Sequence, residues 1–186
     1  MSHIDKLKLA AFIITDGGIF EKRNQIFFDS TDEKLIQCFV ATVKQLGIKN
    51  ISINRGHGTI EVSFYSKKLV KDILKLIGKQ KTINLNEILK LPKSKIKEIL
   101  RILFSTDGGV SLSVSIGKDG KRRVHRKVTF TSKKNPENLK IVQFLLKLFD
   151  INSKIHGFDL EIKGKENLMK FQKLIGFIEG VKVTGK

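Results

Sequence analysis

FIITDGG at residues 12–18 and LFSTDGG at residues 103–109 decide how this chain is read. They share TDGG, and their aspartates, Asp16 and Asp107, stand 107 − 16 = 91 residues apart. Self-similarity at a fixed spacing is the signature of a duplicated unit. The match continues outward. Each TDGG leads into an alternating stretch (19–28 and 110–130) and then a helical segment (32–46 and 136–149). Both helical segments end in a similar break, Leu46-Gly47-Ile48 and Phe149-Asp150-Ile151. Short strands follow at 58–64 and 157–162, and each half closes with a helix ending Leu76-Ile77-Gly78 or Leu174-Ile175-Gly176.

Periodicity supports these elements. Ile60, Val62 and Phe64 alternate with Thr59, Glu61 and Ser63, as in a half-buried strand. Leu35, Phe39, Val43 and Leu46 recur at helical spacing, behind Asp32 and Glu33, which suit a helix start. Residues 117–120, GKDG, predict a hairpin turn, and residues 54–58 a second reversal. Each half reads helix, strand, strand, helix, strand, strand, helix. The first unit spans 1–78, a lysine-rich linker with a short helical turn at 85–91 spans 79–93, and the second unit spans 94–186, with Ser94 as the helix N-cap. The expected class is α+β: two pseudo-symmetric αββαββα units with antiparallel sheets, a fused form of a symmetric dimer.

The charge narrows the partner. The chain has 186 residues, with 36 Lys+Arg against 18 Asp+Glu, a formal net charge of +18. Such a balance points to a polyanion, with nucleic acid ahead of a thermophile's charged surface or a ribosomal environment. No stretch reads as a signal peptide, a membrane span or a basic amphipathic anchor, so a membrane partner is not expected. The single cysteine, Cys38, reads as a small core residue and excludes a disulfide framework. His3, His57, His125 and His156 are scattered and form no zinc pattern.

An aspartate after an apolar helix is electrostatically misplaced, because the helix C-terminus is itself negative. Asp-Gly alone is an ordinary turn dipeptide. Two copies at one place in matched halves argue for more. The paired glycines are expected to allow left-handed backbone and a sharp exit into the strand. If the two apolar helices pack together, Asp16 and Asp107 meet and form a hard, oxygen-rich site suited to Mg²⁺, or to Mn²⁺. Such cations can clamp a scissile phosphate and activate water.

The segments LAAFIITDGG and LRILFSTDGG resemble the LAGLIDADG motif of homing endonucleases, in the monomeric, two-motif archaeal form. The order of elements after each motif, and Ser66-Lys67-Lys68-Leu69 after the fourth strand, are similar too. The resemblance implies a site-specific endonuclease that cuts both strands of a long, asymmetric DNA target as a monomer, with a divalent metal and no small-molecule cofactor. Intron encoding would suit a chain without splicing motifs, in the cytoplasm or an organelle. It also implies that Asp16 and Asp107, with the backbone carbonyls of Thr15 and Thr106, bind metal. The family sets a polar residue near the end of the second strand. Asp29 and Ser30 stand there in one half, and Ser132, Lys133 and Lys134 in the other, with Lys133 the catalytic candidate. Departures are Ile14 and Ser105 at the motif's first acid, and Ile102 opposite the small Ala11. The alternative within one fold is an RNA maturase, or a decayed nuclease that still binds DNA.

Strands of this kind can enter the major groove. Arg123, His125 and Lys127 share a phase with Thr129, opposite Val124, Val128 and Phe130, which read as core. Ser111, Ser113 and Ser115 offer the adjacent face. Arg23, Gln25, Arg55 and His57 are the candidates in the first half.

Overall fold

The structure, a computed structural model, describes residues 2–56, 58–78 and 80–183. The first unit runs α1 (His3–Ile14), β1 (Gly17–Phe20), β2 (Gln25–Ser30), α2 (Glu33–Gln45), β3 (Ser52–Gly56), β4 (Thr59–Tyr65) and α3 (Lys67–Ile77). A short helix, α4 (Leu85–Leu89), precedes the second: α5 (Lys93–Asp107), β5 (Gly108–Ile116), β6 (Arg122–Thr131), α6 (Glu137–Lys147), β7 (Lys154–His156), β8 (Asp159–Lys163) and α7 (Lys165–Leu174). The two sheets are antiparallel and have the same topology, β1-β2-β4-β3 and β5-β6-β8-β7. Two repeated α/β units with four-stranded antiparallel sheets are thus the α+β arrangement that the duplication implied.

Local chemistry repeats with the topology. After α2 and α6, Gly47 (φ 79°) and Asp150 (φ 55°) reverse the chain, and Ile48 and Ile151 N–H groups reach back to the carbonyls of Val43 and Leu146. Asp32 caps α2 by accepting from Lys34 N and Leu35 N, and Ser66 caps α3 by accepting from Leu69 N. Between the halves, α1 packs on α5. Both helices start charged and become apolar toward their C-terminal ends, Leu9–Ile13 and Ile102–Phe104, where each faces its own sheet on one side and the other helix on the other. Phe12 stacks edge-on against Phe28 and Phe39, and Phe104 packs on Phe130 and Phe171.

Several local expectations are corrected. The N-cap of α5 is Pro92, and Ser94 lies within the first turn. Strand β3 continues to Gly56, well into the stretch expected to reverse, and Gly58 stands at φ 83°. Val124 is 51% exposed, not core. The β5–β6 hairpin runs beyond the reach of β8, which pairs with β6 only from Lys127 to Thr131, so Val124 lies past the last β8 partner. Cys38 is half-buried on α2 and packs against the core.

The motif glycines are also corrected. Gly17, Gly18 and Gly108 have no positive φ; Gly108 is extended at φ −100° and ψ 170°. They are needed for space. A Cβ on Gly108 would sit 2.2 Å from Phe104 O, and one on Gly17 would sit 2.9 Å from both Ile13 Cα and Phe27 O. The strand leaves so close to its helix that only hydrogen fits. Gly108→Ala should therefore destabilise the protein by about 1–3 kcal/mol or more in urea denaturation. Gly56→Ala, where a Cβ meets nothing within 4 Å, should stay within roughly 0.5 kcal/mol of the parent.

Candidate active site and nucleic-acid interface

The site lies where α1 and α5 end. Thr15 and Thr106 are buried at 8% and 4% exposure. Thr15 Oγ1 donates to the carbonyls of Ala11 and Phe12, and Thr106 Oγ1 to those of Ile102 and Leu103. Each hydroxyl is satisfied by its own helix, so threonine costs the interface nothing polar. A cavity of about 10 Å³ where Ala10, Ala11, Ile99 and Leu103 meet Ile77 and Ile88 is at the lower limit for one water. The helices end differently. α1 stops at Ile14 with Thr15 as C-cap, whereas α5 runs through Asp107. The Val110 N–H, which a continued helix would turn to Thr106 O, donates to Val183 O instead.

Lys81 joins the two ends. Its backbone is left-handed at φ 55°. Its Nζ donates to Gly17 O at 2.7 Å. The half-buried ammonium is held below the usual lysine range, first by desolvation and then by Lys134, while Asp107, Asp16 and Asp29 oppose the shift. Those three carboxylates and Lys134 therefore converge electrostatically on one amine. The start of α6 holds this stretch in place. Asn138, 1% exposed, accepts from Ile83 N at 2.9 Å and donates to Lys81 O at 3.1 Å. Asn135 Nδ2 donates to Gln80 O and Thr82 Oγ1.

The reading from sequence missed Lys81, because it treated residues 79–93 as a connector; the signal was a lysine beside the junction of two acidic motifs. The structure places Lys133 on the exposed turn after β6, while its neighbour Lys134 is the one that acts on Lys81. Two carboxylates are too few to hold a hard divalent cation alone, and the described residues contain no cluster of three or more His, Cys, Asp or Glu. They do fit a cation completed by water and substrate phosphate oxygens.

The sheets flank this junction. In the first, Ile26, Phe28, Val62 and Phe64 face the helices and the core. The other face carries Gln25, Phe27, Asp29, Glu61 and Ser63 in register. Phe20 and Phe27 stack there at 5.0 Å, and Phe27's ring lies over Gly18. Arg23 is exposed in a 3₁₀ turn at the β1–β2 tip. Arg55 shares the phase of Ile60 on the helix side and pairs with Glu33 of α2 at 2.9 Å. His57 lies outside the described residues. In the second sheet, Ser111, Ser113 and Ser115 pair with Lys127, His125 and Arg123, so all six share the open face. His125 Nε2 lies 2.8 Å from Ser115 Oγ, and Arg123 pairs with Asp119 at 3.3 Å.

A fold of two duplicated αββαββα units, joined by apolar helices that carry an acid at each end, defines a class of single-chain, pseudo-twofold proteins. The chain belongs to the family of the LAGLIDADG-like domain, whose model matches residues 4–78 and 94–176. No curated protein matches it by sequence. Among solved structures it resembles mesophilic variants of the homing endonuclease I-DmoI (20% identity, TM-score 0.65, 94% of this chain and 97% of that one). I-DmoI in complex with DNA and Ca is similar (19% identity, TM-score 0.66, 93% and 89%). So is full-length DUF199/WhiA from Thermatoga maritima (19% identity, TM-score 0.58, all of this chain and 63% of that one). At these identities the likeness is one of fold. No helix among the described residues is long and apolar enough to cross a membrane.

Asn138→Ala should cost about 1–3 kcal/mol in chemical denaturation, because it leaves Ile83 N–H and Lys81 C=O buried without their partner.

Proposed function

We propose that the chain is a monomeric, site-specific DNA endonuclease that hydrolyses both strands of a long, asymmetric duplex target with Mg²⁺ or Mn²⁺. The observation that carries this reading is the convergence of two repeat-related carboxylates, Asp16 and Asp107, with Lys81, between two sheet faces left bare by the helices. The net charge of +18 supplies the attraction to duplex phosphates. The ends of the motif helices, with the carbonyls of Thr15 and Thr106, would hold the metal against the scissile phosphates. A bound cation there would activate water and neutralise charge on the phosphate. Lys81, pinned by Asn138 and Gly17 O, would stabilise negative charge on the phosphate or the leaving oxygen, and Lys133 and Lys134 would lie alongside it. The related structures solved with DNA and Ca, Mg or Mn support this choice of substrate and metal.

One observation favours a second reading, a DNA-binding protein that does not cut. Lys81 already brings positive charge to both acids, where a cation would otherwise do so, and the WhiA likeness covers the whole chain.

The test is to incubate the protein and Mg²⁺ with a plasmid library carrying randomised inserts. Linear product enriched in one insert sequence supports the nuclease. Asp16→Asn and Asp107→Asn should each lower the rate by roughly 10²–10³-fold or more while leaving binding intact. Lys81→Met should slow cleavage by about 10²-fold. Selective binding with no nick at any metal concentration would leave the second reading in place of the first.

A further inference from the structure

Glu161 stands out on the open face of the second sheet. It sits on β8, an inner strand, with Asp159 and Lys163 on the same side and Leu160 and Ile162 turned to the core. Among the described residues the helices of this unit lie on the opposite, core side, yet Glu161 is only 7% exposed. Basic side chains cover it. Lys127 Nζ lies 2.5 Å from Oε1, Lys163 Nζ pairs with Oε2, and His156 Nε2 is 3.7 Å from Oε2. Lys154 is its cross-strand neighbour on β7, and Lys127 is directly opposite Lys163. The lysine hydrogen bonds, Lys127's first, hold the carboxyl at about 2.

The duplication supplies an internal comparison. Glu61 occupies the matching place on β4, opposite Asn54 on β3 and Asp29 on β2. Its surroundings differ. Where the second sheet has the pair Lys127 and Lys163, the first has Phe27 and Ser63, and where it has Lys154, the first has Asn54. Glu61 makes no ion pair among the described residues. One acidic position is common to the two sheets, and only in one is it ringed by ammonium groups.

We propose that Glu161 is a positioning residue for DNA recognition, fixing the ammonium groups of Lys127 and Lys163 at one place on the open face so that the second unit reads base edges there rather than gripping phosphates. The inference rests on the endonuclease reading and deepens it. A lysine is a strongly hydrated point charge on a flexible stem and reaches phosphates of any sequence. Bound to Glu161, Lys127 keeps donors for guanine O6 and N7. Its rotamers are already restricted, which cuts the ordering cost of a specific contact. The carboxylate also cancels part of the charge that drives sequence-independent binding. Glu161 therefore lowers overall affinity and raises discrimination.

The experiment compares the full chain, Glu161→Gln, Glu61→Gln and Lys127→Gln on two probes. A randomised duplex pool, selected and sequenced, gives the preference at each position. A fixed duplex of arbitrary sequence gives the dissociation constant from low to high NaCl. Glu161→Gln should bind the arbitrary duplex several-fold more tightly, with a salt slope steeper by about one. It should also lose preference at two or three adjacent positions in one half of the selected site. Lys127→Gln should lose the same positions, and Glu61→Gln should keep them although it removes the same charge. Thermal unfolding of each variant separates a lost fold from a lost preference, and Lys127→Gln, which leaves Glu161 paired with Lys163, tests the same positions if Glu161→Gln does not fold. Glu161→Gln with an unchanged motif, or Glu61→Gln losing those same positions, overturns the proposal while the endonuclease reading stands. A parent chain that selects no motif overturns both.

Discussion

The packing of α1 against α5 is the contact on which everything else hangs. Each helix is buried over its C-terminal half, Leu9–Ile13 in α1 and Ile99–Phe104 in α5 apart from Arg101, because it is the core of its own unit and the seam with the other. Toward the helix ends the buried polar atoms are threonine hydroxyls that bond back to their own helices, at Thr15 and Thr106, and nearer the helix starts Lys8 of α1 pairs with Glu98 of α5 at 2.7 Å. The acids at the helix ends, Asp16 and Asp107, both act on Lys81. The glycines then let each chain turn into its sheet without standing off from the helix.

A second constraint acts across the seam. Asn135 and Asn138, at the start of α6, hold residues 80–83 by their backbone, and Lys81 reaches from that strap to Gly17 O of the first unit. The connector is therefore part of the site. It carries a cation into a region where the two motifs have gathered negative charge, and the acids around it counter only part of the cost of desolvating that amine.

Much of the fold was legible because duplication makes each half vouch for the other. TDGG, the reversals at Gly47 and Asp150, and the helix ends at Gly78 and Gly176 all recur at matched places. The same repeat is what marks Asp16 and Asp107 as candidates. Other features depend on what touches what, and periodicity does not carry that. The glycines looked like left-handed hinges, but it is the distance to Phe104 O that requires one at 108. Val124 has a core residue's phase but lies beyond the end of the neighbouring strand. Arg55 alternates correctly for a strand, yet its side belongs to α2 and Glu33. Lys81 has no repeat partner to flag it, since a connector occurs once in a duplicated chain. The asymmetry between Glu61 and Glu161 lies in their neighbours across the sheet, which only register reveals.

The central claim is that Asp16 and Asp107 form one cation site at the helix ends. Crystals of the protein with a duplex selected from a randomised pool, grown with Mn²⁺, test it through anomalous scattering. The account predicts anomalous density at the junction of α1 and α5, bonded at about 2.1–2.3 Å to carboxylate oxygens of Asp16 and Asp107 and to a DNA phosphate. Density elsewhere on the protein, or an ordered complex in which the two carboxylates bind only Lys81 and no metal, would contradict it.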